Sequence, residues 1–180
     1  MQNPFLIGES IYLRPVERED GPLVLPWLND PDVRHTLYNR GPLNLIRETD
    51  FIERMSQSEH DLVLMIVRKS DDQPIGVTGF HQIDFSNRHC LFGLTIGDKE
   101  AWGKGHGTES TRLMVEHAFR TMNMNRVWLQ VFEYNERGIR AYTKVGFKKE
   151  GVMRQENFRD GRYWDTWVMA ILRDDWLSHR

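Results

Sequence analysis

Apolar and polar residues alternate in short runs along most of the chain, and the period changes at clear punctuation. Residues 10–14, Ser-Ile-Tyr-Leu-Arg, alternate and predict a first strand that Pro15 ends. Residues 17–28 carry a helical pattern, yet Gly21, Pro22 and Pro26 must break or bend it. Asn29-Asp30-Pro31 marks a turn, 32–38 a short helix before Gly41-Pro42, and 47–57 a helix with Phe51, Ile52 and Met55 at helical spacing. From Asp61 the character changes. The apolar runs 62–67, 75–83 and 90–96 predict three strands of an antiparallel meander, with a turn at Asp71-Asp72-Gln73-Pro74. Residues 108–121 place Met114, Val115, Ala118 and Phe119 on one side of an amphipathic helix. Val127, Leu129 and Val131 alternate with Trp128, Gln130 and Phe132 in a central strand. Residues 136–144 predict a short helix stopped by Gly146, which can take left-handed geometry. Runs 147–158 and 162–172 flank Asp160-Gly161, a two-residue hairpin signal.

The order β, helices, βββ, α, β, α, ββ predicts an α+β, or mixed α/β, domain with one largely antiparallel sheet. No repeat and no Gly/Ser- or Pro-rich linker divides the 180 residues, a length that suits a single domain over 1–180. Lys+Arg is 24 and Asp+Glu 26, a formal net charge of −2. That balance excludes a basic arm for nucleic acid or a polybasic membrane anchor as the main device. No apolar stretch approaches the ~18 residues of a membrane span. Residues 1–7 lack the basic and apolar regions of a signal peptide. Cys90 is the single cysteine, which excludes a disulfide framework and a cysteine-cluster metal site. It fits a reducing cytosol, so a cytoplasmic protein is expected.

The chemistry concentrates in residues 93–109, where a strand ends, a glycine-rich turn follows and a helix begins. Successive N–H groups and the helix N-terminus form a phosphate cradle there. Glycines let backbone approach phosphate without an intervening Cβ. The spacing is not that of a Walker loop: from Gly97 the second glycine comes one residue late, and Gly105 stands in place of the magnesium-binding Ser/Thr. Gly103, Gly105 and Gly107 also miss the dinucleotide fingerprint, and no parallel βαβ unit opens the chain. Taken alone, the loop is equally compatible with no ligand. A second motif follows: Asn135-Glu-Arg-Gly-Ile-Arg-Ala141-Tyr142-Thr-Lys-Val-Gly146-Phe147.

The two motifs, about 30 residues apart in β-α-β-α order, together resemble the GNAT superfamily of acetyl-CoA-dependent N-acyltransferases. The resemblance covers nearly the whole chain. Leu13-Arg14-Pro15, Trp27-Leu28-Asn29-Asp30-Pro31 and Asp160-Gly161-Arg162-Tyr163 are similar to the branch of ribosomal-protein N-terminal and spermidine acetyltransferases. It implies a sheet of about seven strands flanked by helices and splayed between the fourth and fifth. It implies acetyl-CoA as cosubstrate, with no metal. Leu94, Thr95 and Ile96 would pair with the pantetheine arm as a strand pairs with an extended ligand. Trp102, Gly103, Lys104, Gly105, His106, Gly107 and Thr108 would hold the pyrophosphate. The family usually has Gln or Arg where Trp102 stands, so the cradle here is mainly backbone.

Asn135 is expected on the cofactor or as the N-cap of the second helix. Tyr142, a phenol with pKa ~10, would protonate the leaving thiolate. A backbone N–H in 94–96 would steady the oxyanion. The general base stays open among Glu133, Asp84, His81, Glu109 and water. His81 and His89, without partnering carboxylates in the sequence, do not make a metal site. The acceptor is a primary amine, either a peptide or protein N-terminus or a small amine, bound by the N-terminal helices and the last hairpin. Arg34, His35 and Arg40 weigh against a polyamine, which prefers several carboxylates. A polyamine or aminoglycoside acetyltransferase and a non-catalytic acyl-CoA sensor are the alternatives. A homo-oligomer is compatible with the sequence.

Overall fold

The computed structural model describes residues 1–178. An open eight-stranded sheet runs in the order β1-β2-β3-β4-β5-β6-β8-β7. Its strands are β1 (Leu6–Ile7), β2 (Ile11–Pro15), β3 (Leu62–Arg68), β4 (Gln73–Asp84), β5 (His89–Ile96), β6 (Arg126–Phe132), β7 (Lys148–Arg159) and β8 (Arg162–Leu172). Only β5 and β6 pair in parallel. The helices are α1 (Gly21–Asn29), α2 (Pro31–Arg34), α3 (Leu45–Gln57), α4 (His106–Arg120), α5 (Glu136–Val145) and α6 (Arg173–Ser178). None is long and apolar enough to cross a membrane.

This is the mixed α/β architecture that the hydrophobic pattern predicts, with one strand more. β1 pairs Leu6 with Leu13 and Ile7 with Tyr12, and two residues are too few to show a period. Of the prolines expected to break or bend the helix, Pro22 marks its start, while Pro26 sits inside α1 without ending it. The 17–28 pattern divides into a 3-10 turn at Arg18–Asp20 and α1, with Pro22 in the first turn, where a missing N–H costs nothing. The helix expected over 32–38 stops at Arg34. Beyond it the Thr36 hydroxyl donates to the Val33 carbonyl at 3.0 Å, a local bond that competes with helix continuation. The hairpin turn has Asp160 at φ +53° and Gly161 at φ +78°, the left-handed pair that a type I′ turn demands.

Helices α4 and α5 cover one face of the sheet. Met114, Val115, Ala118 and Phe119 of α4 are fully buried against Phe80, Phe92, Val127 and Leu129. Each such large side chain contributes about 1.5–3 kcal/mol of burial. On the other face Tyr12, Met65 and Val67 pack against Val24 and Trp27 of α1. A bulge at Ile66/Val67 turns Ile75 into the first core while Val77 stays with the second. Arg14 and Asp20, both about nine-tenths buried, tie β2 to the 3-10 turn through two bonds of 2.8 and 2.7 Å. Removing one partner would strand a charge and cost about 3–5 kcal/mol.

The feature that positions the site is where β5 and β6 part. They pair at His89/Arg126, Cys90/Val127 and Leu91/Trp128, and no further. β5 nevertheless continues to Ile96 and β6 to Phe132. The backbone of residues 92–96 therefore faces no strand on that edge. Counting β1, the splay lies between the fifth and sixth strands.

Candidate active site

The turn that leaves β5 enters α4 through two glycines in left-handed conformations, Gly103 at φ +75° and Gly105 at φ +88°. Nothing lies within 4 Å of where a Cβ would stand on either. Turn N–H groups and the N-terminus of a 15-residue helix thus border open space, the arrangement that attracts an anion. That space is a cleft of about 400 Å³ between the splayed end of β5, the turn and α5. It gathers Leu94, Thr95, Ile96, Trp102, Gly103, Gly105, His106, Gly107, Thr108, Asn135 and Tyr142. Of the residues expected to hold the cofactor, Lys104 alone stays outside its lining, on the exposed side of the turn; the four side chains considered as general base also lie outside it. Gly107 has room for a methyl group: a Cβ would touch Leu94 Cδ2 at 3.4 Å, an ordinary contact.

Several side chains have other partners. His106 is buried, with Nδ1 3.1 Å from Ser10 Oγ, and burial lowers its pKa. The Trp102 indole donates to the Ile96 carbonyl at 2.8 Å, so that acceptor is already used. Asn135 Oδ1 accepts from the Gly138 N–H at 3.0 Å and caps α5, while the residue still borders the cleft. A Cβ on Gly138 would come 2.8 Å from Asn135 Nδ2, which explains a glycine in the first turn. Arg137, Arg140 and Lys144 also line the cleft and escaped the sequence reading. The signal was in the second motif, where Arg137 and Arg140 stand one helical turn apart just after the cap.

Tyr142 is 7% exposed and meets Phe92 edge-on at 6.1 Å and Phe147 at 6.0 Å. Its hydroxyl has no hydrogen-bond partner among the described residues, and burial pushes its pKa up to about 12. It therefore keeps its proton at neutral pH and can only donate it to an incoming group.

The expected bases divide sharply. Glu133 accepts from the Asp165 N–H at 2.9 Å. Asp84 closes the β4–β5 turn by accepting from the Asn87 N–H and Nδ2, both at 2.8 Å. Glu109 accepts from the Ser10 N–H at 3.0 Å and from its hydroxyl. These three hold backbone in place. His81 instead pairs with Asp61, Nδ1 to Oδ1 2.8 Å. The Cys90 thiol is buried in the core, and burial pushes its pKa up to about 12. No group of His, Cys, Asp and Glu suited to a metal occurs among the described residues.

A larger cavity of about 1220 Å³ opens on the opposite sheet face beneath α3. Glu48, Asp50, Glu53 and Asp61 line it and outnumber Arg47 and Arg54; Tyr38 and Val77 join them, together with Thr95, which also lines the first cleft. Glu48 is 5% exposed, and burial raises its carboxyl pKa. Arg34, His35 and Arg40 are absent from this lining. His35 Nε2 reaches Asp160 at 2.8 Å and Arg40 bonds Asn157, so both are spent on the β7–β8 hairpin.

Comparison with known proteins agrees with this geometry. Residues 10–148 match the acetyltransferase (GNAT) domain family. The chain is 29% identical over 182 residues to the uncharacterized N-acetyltransferase p20 of Bacillus licheniformis, covering 96% of this chain and 98% of that one. It is 28% identical over 173 residues to the spermidine N(1)-acetyltransferase of Escherichia coli (strain K12), covering 95% and 90%. Among solved structures, spermidine N-acetyltransferase from Vibrio cholerae in complex with CoA and spermine superposes with a TM-score of 0.87 at 21% identity, covering 94% of this chain and 99% of that one.

Proposed function

The chain belongs to the GNAT acetyltransferase family, and from that premise we propose that it moves an acetyl group from acetyl-CoA directly to a primary amine. The observation that carries the reading is Thr95. It stands on the unpaired end of β5 and lines both the glycine-bordered cleft and the acidic cavity on the other face. A donor in one and an acceptor in the other would meet there.

The cleft suits acetyl-CoA in its chemistry. Gly103 and Gly105 leave room for a pyrophosphate, Arg137, Arg140 and Lys144 supply positive charge, and the free edge of 92–96 suits an extended amide chain. Bound there, acetyl-CoA supplies an activated thioester. A backbone N–H in 94–96 would donate to its carbonyl oxygen as charge develops, and Tyr142 would give its proton to the departing sulfur. The carboxylates of Glu48, Asp50, Glu53 and Asp61 suit a cationic amine in the larger cavity. Spermidine, named for the Escherichia coli relative, is an amine of this kind. The only thiol is buried, which favours direct attack over an acyl-cysteine route.

The test is the initial rate of CoA release over a grid of acetyl-CoA and amine concentrations. Direct transfer gives intersecting double-reciprocal lines and no release beyond hydrolysis without amine. Parallel lines, the pattern of a covalent acyl-enzyme, would refute it.

A further inference from the structure

We propose that His81, held by Asp61, is the general base that takes the proton of the attacking amine; this rests on the amine-transfer reading above. Phe80 faces the α4 side of the sheet, so the next residue of β4, His81, stands on the opposite face, outside the lining of the larger cavity but bonded to Asp61, which borders it. In register, His81 opposes Leu91, and Gly79 opposes Gly93. A Cβ built on Gly93 would lie 3.8 Å from both Cδ2 and Nε2 of His81. The ring therefore leans over Gly93, one residue before Leu94, on the stretch where β5 has already parted from β6.

Asp61 makes the imidazole a base rather than a filler. Its Oδ1 lies 2.8 Å from His81 Nδ1, and its Oδ2 accepts from the Ser58 hydroxyl at 2.6 Å. Burial alone would raise the Asp61 carboxyl, but the bonds from Ser58 and His81 outweigh it and bring its pKa below the usual carboxylate range. An ionised Asp61 fixes the proton on Nδ1 and leaves the Nε2 lone pair without a partner among the described residues. Asp61 itself lines the acceptor cavity, and the His81 side chain is 32% exposed. Across the cavity that Asp61 lines, α3 brings Arg47, Glu48, Asp50, Glu53 and Arg54. Beside Asp61 stands His60, whose Nδ1 is 2.9 Å from the Ile83 carbonyl. Asp84 and His89 pair with each other at 3.7 Å at the far end of the strands. Gly93 and Leu91 of β5 bring no charge. The other carboxylates once considered hold backbone in place, as above.

The step balances. The amine nitrogen bonds the acetyl carbon and the C–S bond breaks. The N–H proton passes to His81 Nε2, the thiolate takes the Tyr142 proton, and exchange with solvent restores both groups.

The experiment is the pH profile of kcat/KM for an accepted amine with parent, His81→Gln and Asp61→Asn proteins, beside acetyl-CoA affinity and Tm. In the parent, log kcat/KM should fall on the acid side, as a base that must be unprotonated to act requires. In His81→Gln this acid-side fall should vanish and the rate should drop roughly 10²-fold or more, with acetyl-CoA affinity unchanged. His81→Ala should regain rate on addition of imidazole, which a structural role would not allow. Asp61→Asn, which removes the carboxylate that holds Nδ1, should lower kcat with acetyl-CoA affinity unchanged. A folded His81→Gln protein with the parent's rate and acid-side fall overturns this inference and leaves acetyl transfer standing. A parent that binds acetyl-CoA yet acetylates no amine overturns both.

Discussion

The guanidinium of Arg137 lies over the indole of Trp102, its central carbon 3.6 Å from the ring centroid. Trp102 thus serves as a platform for a cation on the neighbouring helix. Trp102 is itself pinned by its bond to the Ile96 carbonyl. Arg137 has no salt-bridge partner among the described residues, and burial and the nearby Arg140 lower its pKa without discharging it. Its donors border the cleft.

Arg137→Ala should therefore weaken acetyl-CoA binding by about 10–100-fold, the worth of one charge-assisted contact to phosphate. Calorimetry at two salt concentrations checks it. Arg137→Lys, which keeps the charge but loses the stack, should fall between. Unchanged affinity in Arg137→Ala would separate the stack from cofactor binding.

Tyr142→Phe keeps the ring against Phe92 and Phe147 and removes only an unpartnered hydroxyl. The fold should survive, with Tm nearly unchanged. Turnover should fall by about 10²–10⁴-fold if thiolate protonation limits the rate, toward the lower end because water can substitute. A Phe variant with parental kcat under chemistry-limited conditions would remove this hydroxyl from the mechanism.

Glu109 ties the start of α4 to Ser10. Burial alone would raise its carboxyl, but the Ser10 hydroxyl and N–H outweigh that and hold its pKa below the ordinary value. A depressed folded-state pKa stabilises above the unfolded value of ~4.3, and the gain is lost as pH falls through the folded value. Glu109→Gln should cost about 1–3 kcal/mol at pH 7, at the lower end because solvent screens the site. Urea titrations should show parent and variant converging as pH falls below ~4. A gap independent of pH would contradict the charge-based explanation.

Local chemistry made much of this molecule readable from its residues. Asp160-Gly161 and Gly146 occupy left-handed positions that few residues tolerate, so their turns announce themselves. The apolar stripe of α4 reads as a helix because its partner face is simply the sheet. The glycine-rich turn and the Asn135–Phe147 motif brought one cleft into view, since backbone geometry demands their spacing. What escaped depends on meetings between distant segments. Asp61 and His81 stand 20 residues apart and meet only through the β3–β4 register. His35 and Arg40 look free along the chain, yet the hairpin folds back to take both. The acidic lining of the larger cavity comes from α3 and the loop before β3, where charges at helical spacing resemble a solvated face.

The most direct measurement is the identity of the product. The protein is incubated with acetyl-CoA and a panel of primary amines, polyamines and short peptides with free N-termini included, and CoA and acetylated amine are quantified together by mass spectrometry. Expected is one N-acetylated amine for each CoA released, with release dependent on the amine and sharply reduced in Tyr142→Phe. CoA released at the same rate with and without amine, and no acetylated product from any member of the panel, would contradict transfer between the two cavities that meet at Thr95.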